Sequence, residues 1–109
     1  MTDLEYLNHA EAALRAVELS CDKINESTDA DIDNQRSGGM ITLTFVNKSQ
    51  IVMNLQKPLQ EIWLAAKAGG FHYKCIDGKW LDTKNGAEFF AVLTREASAQ
   101  AGQAVVFSS

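Results

Sequence analysis

The chain predicts an α+β fold: two helices packed on one face of an antiparallel sheet of about six short strands. Three observations carry that expectation. Residues 3–25 repeat apolar side chains at three- and four-residue steps, residues 31–83 break into short alternating runs separated by tight turns, and a second helical stripe begins near Phe89. Tight turns require antiparallel neighbours, because parallel strands need long crossovers. Helices segregated to the two ends of such a run pack on one sheet face and leave the other to water. With 109 residues the chain is expected to form a single domain, 1–109.

Each element has its own local signal. Thr2-Asp3-Leu4-Glu5 matches a capping box, in which the Thr hydroxyl and the Glu carboxylate each accept an amide proton from the other residue. Leu4, Leu7, Ala10, Leu14, Val17, Cys21 and Ile24 form the apolar stripe of the first helix, with Glu11, Arg15, Glu18 and Asp22 on its exposed side. Asp31–Gln35 reads as a strand with Asp31 and Asp33 pointing the same way, followed by a turn at Ser37-Gly38-Gly39. Met40–Val46 and Gln50–Leu55 alternate as half-buried strands. Pro58 interrupts the path before Leu59–Ala65, and Phe71–Ile76 leads through the hairpin signal Asp77-Gly78 into Lys79–Thr83. Asn85–Glu88 opens a second helix with Phe89, Phe90, Leu93 and Ala97 inward, ending near residue 101. The apolar residues Val105, Val106 and Phe107 are expected to pack back onto a helix or the sheet.

Charge is distributed unevenly. The first 35 residues hold nine acids and two bases, and the remaining 74 hold five acids and eight bases, so −7 in front and +3 behind give the net −4. The acids run along the first helix (Glu11, Glu18, Asp22, Glu26) and continue through Asp29, Asp31 and Asp33. Such a stripe attracts hard cations, basic partner surfaces, or both, and the charge pattern leaves these readings open beside that of a merely solvated face. Like charges at i,i+4 (Glu18/Asp22, Asp22/Glu26) oppose the helix by roughly 0.2–0.5 kcal/mol per pair, which favours a functional reason for keeping them. Acids on one convex face cannot fill an octahedral shell, so cation binding should be weak, salt-sensitive and poorly selective.

Other classes find no support. The chain has no Gly-x-Ser-x-Gly elbow, no phosphate loop and no usable Cys/His pair, so it is not expected to be an enzyme. An acidic surface disfavours nucleic acid, and no apolar run approaches the ~20 residues of a membrane span. The acidic N-terminus lacks a signal-peptide basic region and the two cysteines lack zinc spacing, so a cytoplasmic protein with free thiols is expected. Cys21 belongs to the helical stripe, and Cys75 lies across the strand from His72. On composition alone Trp63 and Trp80 both read as core, and His72 reads as a structural histidine with a peripheral metal contact as the lesser alternative.

Five stretches carry a family resemblance over nearly the whole chain. Asn54-Leu55-Gln56-Lys57-Pro58-Leu59-Gln60-Glu61-Ile62-Trp63-Leu64-Ala65 resembles the N-x-Q-x-P-x-x-Q/E-[IV]-W-[LI]-A signature of the frataxin family in its bacterial form. Gly69-Gly70-Phe71-His72-Tyr73 is similar to its G-G-[FY]-H-[FY] element, and Asp31-Ile32-Asp33, Leu43-Thr44-Phe45 and Gly86-x-Glu88-Phe89 fall in the expected order. The resemblance implies the frataxin α-β sandwich and a role in iron–sulfur cluster assembly. It implies weak binding of iron (Fe²⁺/Fe³⁺) and docking on the cysteine desulfurase, with the iron–sulfur scaffold protein as a further partner. It also implies a regulatory effect, and a monomer that iron can drive to oligomerise.

Glu18, Asp22, Asp29, Asp31 and Asp33 match the family's acidic ridge, with Glu11 and Glu26 on or beside it. Leu19, Lys23, Asn25 and Gln35 stand where many bacterial members carry acids or other ridge groups. Leu7 replaces a metal-contacting His of some members, with His9 nearby. The ridge is therefore thinned, which shifts the expectation toward docking over iron storage. By resemblance Trp63 moves from the core to the open sheet face as a partner contact. The alternatives are a ferroxidase-type enzyme using the same acids and a metal-independent adaptor.

Overall fold

The computed structural model describes all residues, 1–109, in the order α1 (Asp3–Ser27), β1 (Asp33–Ser37), β2 (Met40–Thr44), β3 (Gln50–Gln56), β4 (Glu61–Ala66), β5 (Gly69–Ile76), β6 (Lys79–Asp82) and α2 (Phe89–Ala101). The strands form one antiparallel meander in sequence order, as the tight turns require. No helix is long and apolar enough to cross a membrane.

Helix α1 starts where the capping box places it. Thr2 Oγ1 accepts from the Glu5 amide at 3.1 Å, and Glu5 Oε1 accepts from the Thr2 amide at 2.9 Å. The start of the buried row differs from the expected stripe. Leu4 is 69% exposed, because the buried row begins at Tyr6 and continues through Ala10, Ala13, Leu14, Val17, Ser20, Cys21 and Ile24. The Tyr6 ring passes inward against Trp80, and its hydroxyl donates to the Glu61 carbonyl at 2.7 Å, tying the helix to β4.

Both helices cover the sheet face carrying Ile41, Leu43, Ile51, Met53, Ile62, Leu64, Tyr73 and Trp80, which with the helices' inward residues form one core. Trp80 and Cys21 lie in it as expected; both thiols are free, and burial pushes both of their pKa values up. The opposite sheet face has no helix over it.

The turns follow their residues. Asp77 and Gly78 both have positive φ (51° and 79°), the conformation a two-residue hairpin with the sheet's twist demands. Pro58 sits in a single 3₁₀ turn, Lys57–Leu59, and Gln60 then takes a left-handed conformation, so β4 starts at Glu61 instead of Leu59. Helix α2 is capped by Glu88, whose carboxylate accepts from the Phe90 and Ala91 amides; Asn85 caps nothing and accepts from Ala87.

The tail packs on the helices. Val105 and Phe107 are buried, and three hydroxyls hold the extended backbone: Ser98 bonds Val105, Thr94 bonds Phe107, and Ser20 of α1 bonds Ser108, each to both the amide and the carbonyl. The tail thus links α1 to α2.

Candidate functional site: an acidic ridge and an open sheet face

Helix α1 extends to Ser27, so Glu26 belongs to it and Asp22/Glu26 is a helical i,i+4 pair of like charge. The last turn contains no base, so these acids also face the negative end of the helix dipole. The link to β1 is held tightly. Asn25 receives the Ile32 amide at 2.9 Å and donates to the Ile32 carbonyl at 2.8 Å, while Thr28 bonds the Ile24 carbonyl and the Ala30 amide. Ala30 and Ile32 point into the core; Asp29, Asp31 and Asp33 alternate with them and are exposed. Asn25 thus fixes the loop that presents these acids.

The strand expected over Asp31–Gln35 begins only at Asp33. Asp31 has φ 52°, and β2 offers no residue beyond Thr44, the partner of Asp33. Asp31 and Asp33 still face solvent together, through alternation of burial in a loop and not through a pleat.

Glu11 and Glu18 behave differently. Arg36 lies opposite Ile41 on the helix-facing side of the edge strand β1 and reaches across to α1. Its Nη1 donates to Glu18 Oε1 at 2.9 Å, Nη2 bonds Glu11, and Nε donates to the Gly38 carbonyl at 2.8 Å. Partial burial opposes the charge, but the hydrogen bonds that Arg36 donates to Glu11 and Glu18, with the negative charge of both, outweigh it and raise the Arg36 pKa. The ridge is therefore interrupted at Glu11 and Glu18 by a base from the neighbouring strand. Asp22, Glu26, Asp29, Asp31 and Asp33 enter none of the molecule's ion pairs. Asp29 accepts one neutral hydrogen bond, from Gln103. No three His, Cys, Asp or Glu side chains are grouped so as to hold a metal ion.

The open sheet face holds a second constellation. Trp63 is half-buried there, paired between Asn54 and His72, with its ring stacked on His72 at 4.3 Å between centroids and 8° between planes. Its indole N–H donates to Glu61 Oε1 at 2.8 Å. Glu61 is only 7% exposed although it lies on the open face, with Lys74 Nζ at 3.4 Å and His72 Nδ1 at 3.8 Å. Sequence reasoning missed Glu61, Lys74 and Arg36. The signal was strand parity: Glu61 and Trp63 share a face, as do His72 and Lys74, while Arg36 shares the helix-facing side with Ile41. His9 is exposed on α1 and joins neither constellation.

Residues 1–103 match the model of the frataxin-like domain. The chain is 69% identical to the iron–sulfur cluster assembly protein CyaY of Polaromonas sp. (strain JS666), over 100% of this chain and 94% of that one. Among solved structures it is similar to frataxin from Psychromonas ingrahamii, with a TM-score of 0.86, 35% identity and 100% of both chains covered. It is also similar to trimeric frataxin from the yeast Saccharomyces cerevisiae complexed with ferrous iron, with a TM-score of 0.76, 27% identity and 87% of both chains covered. Matched fold, matched length and matched sequence agree: the chain belongs to the frataxin family, in its bacterial CyaY branch.

Proposed function

We propose that this chain is a non-enzymatic regulator of iron–sulfur cluster assembly that docks on a cysteine desulfurase through its acidic ridge and binds iron weakly there. The observation that carries the reading is the run of five exposed carboxylates, Asp22, Glu26, Asp29, Asp31 and Asp33, none with a base as partner. Their repulsion is retained against the helix dipole, and a basic partner surface or a hydrated cation relieves it. The names of relatives support the assembly role, and the ferrous yeast frataxin supports iron as the cargo. Trp63 supplies a secondary contact from the open face, toward the desulfurase or the scaffold protein.

Reversing Asp22 and Asp31 to Lys should abolish pull-down of the desulfurase while the circular dichroism spectrum is unchanged. Retained capture with an intact fold removes the ridge from the docking surface. The lack of any grouped metal-ligand triad favours one further reading, a metal-independent adaptor. Anaerobic titration with Fe²⁺ separates the two, because the adaptor leaves the amide resonances of residues 22–33 sharp. The ferroxidase reading predicts Fe²⁺ oxidation faster than in buffer once oxygen is admitted; the regulator predicts none.

A further inference from the structure

We propose that Arg36 is an internal counter-ion that withdraws Glu11 and Glu18 from the ridge, so that divalent cations collect only at its Asp22–Asp33 end. The inference rests on the cation-binding reading above and specifies which part of the ridge does the binding. Glu11 and Glu18 lie two helical turns apart, roughly 10 Å along the axis. A small cation cannot bridge that span, but a guanidinium fork presented from the neighbouring strand meets both carboxylates. The Arg36 side chain is 24% exposed, and its third contact, to the Gly38 carbonyl, fixes the arm in place.

A cation is thus already seated at this pair. Arg15, exposed on the same helix between the two acids, adds a second positive charge. Two acids and two guanidinium groups give this half a charge of −2 + 2 = 0, whereas the five distal acids with Lys23 give −5 + 1 = −4. A dication approaching Glu11 or Glu18 must displace Arg36 from both carboxylates and leave its partly buried guanidinium only the Gly38 carbonyl. At the distal acids it displaces only water. Arg36 therefore determines where along the helix a hard cation binds, without touching it.

The test is a titration with Mn²⁺ alone, read as paramagnetic broadening of amide resonances in the full chain and its Arg36→Gln variant. Glu11 and Asp22 are about 16 Å apart along the helix, so residues 8–12 report on the proximal pair separately from the distal acids. In the parent chain we expect broadening confined to residues near 22–33. In Arg36→Gln we expect added broadening at residues 8–12, at two- to tenfold lower Mn²⁺ than the parent needs there, the range expected for losing two partly exposed ion pairs. Adding Glu11→Gln and Glu18→Gln to that variant should remove the gain.

Broadening of residues 8–12 in the parent at the same Mn²⁺ as residues 22–33, or none gained in Arg36→Gln, overturns the masking role while leaving the ridge reading intact. Gain at residues 8–12 in the variant with no broadening at residues 22–33 in either protein supports masking and removes the ridge reading. Absence of broadening everywhere in both proteins overturns both.

Discussion

The acidic ridge and the open sheet face handle charge in opposite ways. On the ridge, five carboxylates enter no ion pair, and two of them, Asp22 and Glu26, sit near a helix end whose dipole opposes them. On the sheet face, Glu61 is drawn in until only 7% of it is exposed, and an indole N–H, a lysine and a histidine surround it. The first arrangement costs stability and projects a field over several ångströms. The second spends its charges on each other and projects a shape, a flat Trp63–His72 stack of fixed orientation. In the proposed reading, long-range attraction falls to the ridge and short-range fit to the sheet face.

Removing one carboxylate from each region should separate them most sharply. Glu61→Ala leaves the Trp63 N–H without its acceptor and Lys74 without its nearby carboxylate, and should cost about 1–3 kcal/mol in chemical denaturation. Glu61→Gln, which keeps an acceptor for the indole, should cost less. Asp31→Asn should change stability by no more than ~0.5 kcal/mol, because nothing in the fold leans on it. Equal losses from the two sites would erase the distinction.

Alkaline pH probes the buried side of the sheet, where the ridge has no influence. Burial, with Asp82 adding to it, raises the Tyr73 pKa above its ordinary 10. The folded state thus favours the neutral phenol. Its contribution is fully present below pH 10 and is lost as pH rises toward the folded value. Denaturation midpoints should fall above pH 10, and Tyr73→Phe should flatten that fall; an unchanged slope in the variant would assign the loss elsewhere.

The smallest expected effect is a gain. Glu26→Gln relieves both the repulsion from Asp22 and the dipole at the end of α1, and should stabilise by about 0.3–1 kcal/mol. A loss on this substitution would mean that the ridge acids support the fold.

Much of this architecture was legible because its signals are local. The capping box at Thr2, the Asp77-Gly78 hairpin and the alternation of Ile41, Leu43, Ile51 and Met53 each depend on a few neighbouring residues, and each appears as expected. Reading failed where contacts are distant. Arg36 and Glu18 are 18 residues apart, and only their shared position at the sheet edge makes them partners. Glu61 had no local signal of its own, because only the pairing of β4 with β5 sets Lys74 and His72 around it. At Asp31 the period-two pattern was real but arose from a pinned loop, since alternation alone does not distinguish a pleat from a chain held by Ala30 and Ile32. The apolar residue Leu4 misled for the opposite reason: helical spacing continues past the end of the surface it could cover.

The central claim is that the unpaired ridge, and not the self-paired sheet face, makes the primary contact with the desulfurase. Its most direct test is a map of amide chemical shifts in the labelled chain as unlabelled cysteine desulfurase is added. The account predicts the first and largest shifts at Asp22, Glu26, Asp29, Asp31 and Asp33, with those at Trp63 and His72 smaller. Shifts centred on Trp63 and His72 with residues 22–33 unmoved would contradict it.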